Sequence, residues 1–131
     1  GVPFAAQSLT HPFAIAARHA MLQVFAPCGV EISDGAFSQL PTGEDPAAID
    51  QALAGHQREV ERALNEGIYC GWDLHPGQLL SRYCALHSFF TRHASEAQRR
   101  YDRFLAAETK ALADGTTFDD AATVEGLRVF L

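Results

Sequence analysis

The chain has 131 residues, of which 47% are hydrophobic and 20% are charged, and this length suits one globular domain rather than several. Ten Lys and Arg against sixteen Asp and Glu give a net charge of -6, which leaves no broad cationic surface for nucleic acid. Polar residues interrupt the apolar stretches well before the roughly 18 residues of a membrane span, so we expect no bilayer crossing.

The first residues, 1–4, contain neither an initiator Met nor the basic and apolar segments of a secretory signal. We interpret the chain as cut from something longer, or as a deliberately trimmed form. Cys28, Cys70 and Cys84 are too few and too far apart for a disulfide framework, so we expect reduced, mostly buried thiols and a cytoplasmic protein. Cys84 and His87 have metal-ligand spacing, but they share an apolar helix face, which makes a zinc site with Cys70 and His75 a distant interpretation.

The first helix begins near Thr10 and Pro12 and ends near Pro27. Its spacing predicts one buried apolar face, made of Phe13, Ala16, Ala17, Ala20, Met21, Val24 and Phe25. Residues 30–33 alternate in the manner of a short strand, and Asp34-Gly35 ends it in a turn.

A second helix begins at Asp45 and Pro46 and ends at Gly67. Ile49, Leu53, Val60 and Leu64 form its apolar stripe, while Arg58, Glu59, Glu61 and Arg62 are predicted to face water. Residues 68–74 are rich in aromatic and β-branched side chains and predict a second strand, which Pro76 ends.

The second half of the chain predicts only helices. The first starts at Pro76, with an inward face made of Leu79, Leu80, Tyr83, Cys84, His87 and Phe90. Ser95 and Gln98 form a capping box that starts another helix. Asp119 or Asp120 can cap a last helix that carries Val124, Leu127, Phe130 and Leu131. The pattern therefore predicts five helices and two strands.

A strand, a helix and a second strand in succession predict a right-handed βαβ unit with parallel strands. Two parallel strands are normally paired on both edges and covered on both faces. The chain is therefore an unbalanced α/β chain: either mostly helical with a small strand pair, or the end of a larger sheet or barrel.

Residues 71–78, Gly-Trp-Asp-Leu-His-Pro-Gly-Gln, are the densest group of chemically capable side chains. They lie at the carboxyl end of the second predicted strand, where ligands bind in α/β proteins. Asp73 and His75 are two residues apart, so a carboxylate could orient an imidazole on the same face. Equally, His75 and Gln78 could serve the exposed amides at the start of the next helix.

Residues 67–78 resemble the segment G-[FY]-x-G-[KW]-x-[IL]-H-P-x-Q of the HpcH/HpaI aldolase and citrate lyase β-subunit superfamily. The closer likeness is to an uncharacterised bacterial branch with Gly-Trp-Asp-Leu-His-Pro followed by an Arg-Tyr pair, matched by Arg82-Tyr83. Residues 114–119 are similar to the superfamily's D-G-x-x-[IL]-D, and the order of elements agrees over nearly the whole chain.

The resemblance implies the C-terminal portion of a (β/α)8 TIM barrel, with residues 1–78 as the last βα units and 79–131 as a helical extension. It implies a metal-dependent carbon–carbon lyase or aldolase that acts on 2-oxo acids or CoA thioesters. Mg²⁺ would stabilise the enolate, and its Glu and Asp ligands would precede Gly1, so the isolated chain should be inactive. Asp119 matches the family acid that handles the substrate proton in a neighbouring subunit, which implies a homo-oligomer, although a helix cap is its simpler role.

Asp34 would face the same rim as His75, but Asp-Gly is also ordinary turn chemistry. Trp72 could line a substrate pocket, or belong to the core as most strand tryptophans do. Asp34, Trp72, Asp73, His75 and Gln78 are thus the candidate substrate-binding residues and Asp119 the candidate catalytic residue, with no metal ligand in the chain. We assign no function to His19, His56 and His87. The alternative hypothesis is a noncatalytic helical interaction domain, suggested by five amphipathic helices without a complete catalytic set.

Overall fold

The computed structural model describes residues 3–4, 7–107 and 121–131. Its helices are α1 (Pro12–Phe25), followed by a 3-10 turn at Ala26–Cys28, then α2 (Pro46–Asn65), α3 (Gln78–Ala107) and α4 (Ala121–Phe130). None of the helices in these ranges combines the length and apolarity that a bilayer crossing requires.

The predicted pair of strands is wrong. In the described ranges, the two segments meet at a single parallel bridge between Ser33 and Cys70, where the Asp34 N–H donates to the Cys70 carbonyl over 3.4 Å. A parallel pair is stabilised by further strands on its edges, and without them the pairing does not extend beyond one bridge. The chain is therefore mostly helical, and an α/β barrel fragment with two parallel strands is not its fold.

The chain divides into two compact units, Gly1–His87 and Ser88–Leu131. The first unit contains α1, α2 and the start of α3, and the second contains the rest of α3 together with α4. The division expected from the sequence lies between residues 1–78 and 79–131 and separates a barrel segment from a helical extension. The observed units are defined by packing instead, so the expected division stays a prediction.

Helix α1 buries a charged residue instead of its apolar face. Pro12 is its first residue, and the His11 Nδ1 accepts a hydrogen bond from the Phe13 N–H as the N-cap. Phe13 and Val24 are exposed, whereas Arg18 is only 3% exposed. Arg18 donates to the Leu9 carbonyl over 2.7 Å and to the Glu66 carboxylate over 3.2 Å, and these bonds turn the other side of α1 inward.

Helix α2 confirms its predicted start and end. The Asp45 Oδ1 accepts from the Ala47 N–H over 3.0 Å, Pro46 occupies the first position, and Gly67 follows the helix with φ 80°. Its buried side is formed by Ala52, Gly55, His56, Val60, Ala63 and Leu64. A Cβ on Gly55 would lie 2.7 Å from the Phe37 ring, so the glycine allows that ring to pack on the helix.

Helix α3 is continuous where a break was predicted at Ser95, and its inner face differs from the predicted one. In the first unit its buried residues are Gln78, Ser81 and Ala85, which are spaced three and four apart. The residues expected inside are largely outside: Leu79, Leu80, Tyr83, Cys84 and His87 are all exposed. The apolar stripe was a true helical pattern, but polar contacts selected the opposite face.

The second unit has a small core of its own. Phe89, Ala97 and Val124 are buried in it. The Phe130 ring of α4 lies with its centroid 5.1 Å from Phe90 and 6.0 Å from Phe89. The predicted last helix is confirmed by α4, while its expected caps, Asp119 and Asp120, lie outside the described residues.

Candidate functional site

Four side chains of the first unit meet at one carboxylate and form what we call the Asp73 cluster: Asp73, His56, Ser81 and Arg82. Arg82 binds Asp73 in a bidentate manner, with Nε donating to Oδ2 over 2.7 Å and Nη2 to Oδ1 over 2.6 Å. The His56 Nε2 lies 3.0 Å from Asp73 Oδ1, and its Nδ1 lies 2.8 Å from the Ser81 Oγ. Helix α2 supplies His56, α3 supplies Ser81 and Arg82, and the segment between them supplies Asp73.

The charges and burial of the Asp73 cluster determine the protonation states of Asp73 and His56. Hydrogen bonding from Arg82 lowers the pKa of Asp73 below its ordinary value, so the carboxylate is an acceptor only. Burial lowers the pKa of His56 more than the nearby Asp73 raises it, which favours the neutral imidazole. We therefore assign the proton to Nε2, which donates to Asp73, and leave Nδ1 as the acceptor from the Ser81 hydroxyl.

Ser81, His56 and Asp73 superficially combine the residue types of a nucleophilic triad. However, Ser81 is 4% exposed and His56 is 2% exposed, so a substrate carbonyl cannot reach the hydroxyl. The Ser81 hydroxyl also donates to the Gln78 carbonyl, one turn earlier in α3, over 3.0 Å, so its single hydrogen is shared between that carbonyl and the His56 Nδ1. Ser81 and His56 therefore act as positioning groups for the Asp73 carboxylate.

The absence of a side chain at Gly71 leaves space for the Arg82 guanidinium. A Cβ on Gly71 would collide with the Arg82 Nη1 and lie 2.7 Å from its Nη2 and 2.8 Å from its Cζ. Only a residue without a side chain lets the guanidinium lie against the backbone at this point. The Gly-Trp-Asp sequence therefore supplies both the carboxylate and the room for its cation.

Gln78 is completely buried at the start of α3. Its Oε1 accepts from the Leu74 N–H over 2.9 Å and from the His75 N–H over 3.2 Å. Its Nε2 donates to the carbonyls of Phe37 and Gln39. His75 accepts from the Gly77 N–H through Nδ1 over 3.0 Å, so the helix-start role is the one seen for both residues.

Asp34 belongs to a second network, which we call the Asp34 cluster and which also contains Arg18, Arg62, Glu59 and Glu66. Asp34 is buried and paired with Arg62, and the Arg18 Nη1 lies 3.6 Å from its Oδ1. Arg62 also donates to Glu59 over 2.9 Å and to Glu66 over 2.8 Å.

The Asp34 cluster favours the charged forms of Glu66 and Arg62. Burial disfavours the charge on Glu66, but hydrogen bonds from Arg62 and Arg18 outweigh it and lower the pKa of Glu66. Burial likewise opposes the charge on Arg62, and its bonds to three carboxylates raise its pKa nevertheless. Arg62 was predicted to face water, and that prediction is wrong because α2 turns it toward Asp34.

The candidate residues are only partly brought together. Asp34, Trp72, His56 and Arg82 help to line one cavity of about 20 Å³, which has room for about one water molecule. Trp72 is 64% exposed, so it is not a core residue. Asp73, His75 and Gln78 lie outside that lining, and Asp119 lies outside the described residues.

The described part of the chain contains no group of three or more His, Cys, Asp or Glu side chains that could hold a metal ion. Both Asp34 and Asp73 are already occupied by arginines. Asp34 and Asp73 therefore do not fit a Mg²⁺ site. The zinc site considered for Cys70, His75, Cys84 and His87 is likewise not formed by the described residues. The cysteines are free, as expected, but Cys28, Cys70 and Cys84 are all exposed, so the expected burial is wrong.

Sequence reasoning missed His56, Ser81, Arg18 and Arg62. The spacing of Glu59, Arg62 and Glu66 at three and four residues was a usable signal of ion pairing along α2. Nothing local marked His56 or Arg18, because their carboxylate partners lie 17 and 48 residues away in sequence.

Comparison with known proteins gives a family but no activity. No curated protein and no solved structure matches the chain at the significance required. One family model, described as a domain of unknown function (DUF6986), matches residues 1–131. The chain therefore belongs to the DUF6986 family.

Proposed function

We propose that the chain contributes to a metal-dependent carbon–carbon lyase or aldolase that acts on 2-oxo acids or acyl-CoA thioesters. The proposal is supported by the likeness of residues 67–78 to the aldolase and citrate lyase segment. The observation that carries it is the parallel bridge between Ser33 and Cys70. It brings the segments of Asp34 and Trp72, two predicted substrate-binding residues, together from distant parts of the chain, although the cavity that they share holds only about one water molecule.

In this proposal the Asp73 cluster holds the exposed Trp72 beside the substrate. Arg82 and His56 fix the carboxylate of Asp73, and Asp73 in turn fixes the backbone that carries Trp72. A bound Mg²⁺ would supply stabilisation of an enolate oxygen. Its ligands would be residues outside the described ranges, since those within them do not fit. Asp119 would handle the substrate proton as a general base.

The proposal includes a chain that is inactive alone, a cytoplasmic setting and a homo-oligomer. Inactivity of the isolated chain is what the resemblance implies, because the Glu and Asp that hold Mg²⁺ in that superfamily are not among the matched residues. Oligomerisation is supported by the many large apolar side chains that remain exposed in the first unit, among them Phe13, Leu80 and Tyr83.

The test is a retro-aldol assay with Mg²⁺ on the full natural protein that contains this chain, with 4-hydroxy-2-oxo acids and 3-hydroxyacyl-CoA thioesters as substrates. We expect Asp119→Asn and Trp72→Ala to lower kcat/KM by about 100-fold or more if they act on the proton and the substrate. Asp102→Asn is the matched control, because Asp102 is exposed on α3. Unchanged turnover in both variants, or no turnover with any of these substrates, contradicts the proposal.

The second candidate is a noncatalytic helical interaction domain. It is favoured by the exposed apolar residues of α1 and α3 and by the closed ion networks around Asp34 and Asp73. Such a domain would show no turnover, and Asp119→Asn would change nothing. Charged substitutions at Leu80 or Tyr83 would instead abolish its associations.

A further inference from the structure

A large cleft in the described first unit lies apart from the Asp73 cluster. Its volume is about 590 Å³, within the roughly 300–1,000 Å³ of small-molecule sites. It lies between the segment before α1, residues 36–39 and α2. None of the predicted site residues lines it.

One face of α2 forms a wall of the cleft. Gln51, Gly55 and Arg58 line it, and they recur at the four- and three-residue spacing of a single helix face. Gly55 has no side chain, so the Phe37 ring approaches the helix and forms an apolar floor together with Leu9 and Ala14. The cleft thus combines an apolar base with a polar edge.

Arg58 is the cation of this cleft. Among the described residues it has no hydrogen bond or ion pair, unlike Arg18, Arg62 and Arg82, which all bind carboxylates. Glu59 also lines the cleft, but its carboxylate accepts from Arg62 over 2.9 Å. An unpaired guanidinium beside an apolar floor is suited to a carboxylate or a phosphate on an apolar body.

The geometry points to a binding site for a small organic monoanion, an apolar carboxylic acid of the size of an aryl acid, with Arg58 on its carboxylate and Phe37 beneath its apolar body. A monoanion is favoured over a phosphate dianion because one cation neutralises one charge. Glu59 stands next to that cation, and the chain has a net charge of -6. This proposed binding site is independent of the proposed lyase activity, because a ligand can bind in the cleft without reacting.

The experiment is a titration of the full chain with phenylacetate, followed by amide chemical shifts of Ala14 and Gly55. We expect saturable binding, with shifts at both residues. Arg58→Gln should weaken the binding at least about tenfold, and Arg58→Lys should weaken it less, because Lys keeps the charge without the planar fork. Arg92→Gln, which removes an exposed arginine of α3, should leave the binding unchanged.

Two further ligands are titrated as controls. Phenylacetamide is neutral, and phenyl phosphate is a dianion of similar size. Weaker binding of both compounds supports a monoanion site. The inference is overturned by the absence of saturable phenylacetate binding, by equal binding of phenylacetamide, by tighter binding of phenyl phosphate, or by an Arg58→Gln variant that keeps its fold by circular dichroism and its affinity. Lyase turnover is not a readout, so the two proposals can fail separately.

Discussion

The Nε2 of His56 lies 3.0 Å from the Oδ1 of Asp73, and this short distance joins helix α2 to the segment that precedes α3. Arg82 of α3 occupies the same carboxylate through two nitrogens. One carboxylate therefore connects three parts of the first unit. Removing any partner of Asp73 leaves a buried polar group without a hydrogen bond. The resulting loss of folding stability is larger than the net contribution of the hydrogen bond itself.

Acidification should destabilise the first unit through His56. Burial lowers the pKa of His56 below its ordinary 6.5. The unfolded chain therefore takes up this proton at a higher pH than the folded chain, so the free energy of unfolding falls as the pH drops from 6.5 through the folded pKa. Urea unfolding at a series of pH values measures this loss, and above the window the contribution of His56 is constant.

The variant His56→Gln should remove that part of the pH dependence, at a cost of about 1–3 kcal/mol at neutral pH. His87→Gln is the control, since His87 is exposed on α3. A further loss is expected in stronger acid, because Arg82 holds the pKa of Asp73 below 3.8 and stability is lost as pH falls through that lower value. An identical slope near pH 6.5 in His56→Gln and the parent would refute the assignment.

Replacing Arg82 by Lys should destabilise the first unit by about 1–3 kcal/mol, although the charge is kept. The guanidinium makes two parallel bonds to Asp73, and an ammonium cannot reproduce that fork. The same change at Arg92, which is exposed on α3, should be close to neutral. Chemical denaturation of both variants makes the comparison, and equal stability would show that the bidentate geometry contributes little.

A methyl group on Gly71 should displace the Arg82 side chain. The added Cβ would collide with Nη1 and lie 2.7 Å from Nη2, so Gly71→Ala should cost about 1–3 kcal/mol. Gly126→Ala is the opposite case, because nothing lies within 4 Å of its Cβ position in α4 and Ala is the better helix former by about 0.5–1 kcal/mol. Thermal melts should therefore shift in opposite directions, and a neutral Gly71→Ala would mean that Arg82 moves freely.

Gln78→Met should be the most disruptive of these changes, at about 3 kcal/mol or more. Gln78 is fully buried, and its amide bonds the Leu74 and His75 amides and two carbonyls of residues 37–39. Met has a similar length but leaves those groups unsatisfied. Gln98→Met, on an exposed part of α3, is the control. A stable Gln78→Met variant would show that water replaces the amide without loss.

The sequence alone was sufficient for features that depend on neighbouring residues. The start of α2 at Asp45 and Pro46 and its end before Gly67 follow from capping and backbone preferences, and all three are observed. The two predicted strands needed more than their own residues. Segments around Ser33 and Cys70 do lie in parallel, but the β-branched pattern at each could not show that no further strand of the described residues pairs with them.

The inner face of α3 shows why periodicity failed at the site. Leu79, Leu80 and Tyr83 form a regular apolar stripe, yet Gln78 and Ser81 are the buried residues. Their partners are the Phe37 carbonyl, 41 residues away, and His56, 25 residues away. Buried polar groups must be satisfied, and a helical pattern carries no record of partners so distant in sequence.

The exposed apolar residues of the first unit lead to a prediction about the isolated chain, which we expect to self-associate. Leu80 and Tyr83 on α3 are 65% and 66% exposed, and each large side chain left in water forgoes about 1.5–3 kcal/mol of burial. Leu80→Glu should therefore shift sedimentation velocity profiles toward the monomer, whereas Gln98→Glu, which adds the same charge at an exposed polar position of α3, should not. A parent chain that stays monomeric over the whole concentration series, with a sharp two-state melt, would contradict this expectation, and so would equal association of both variants.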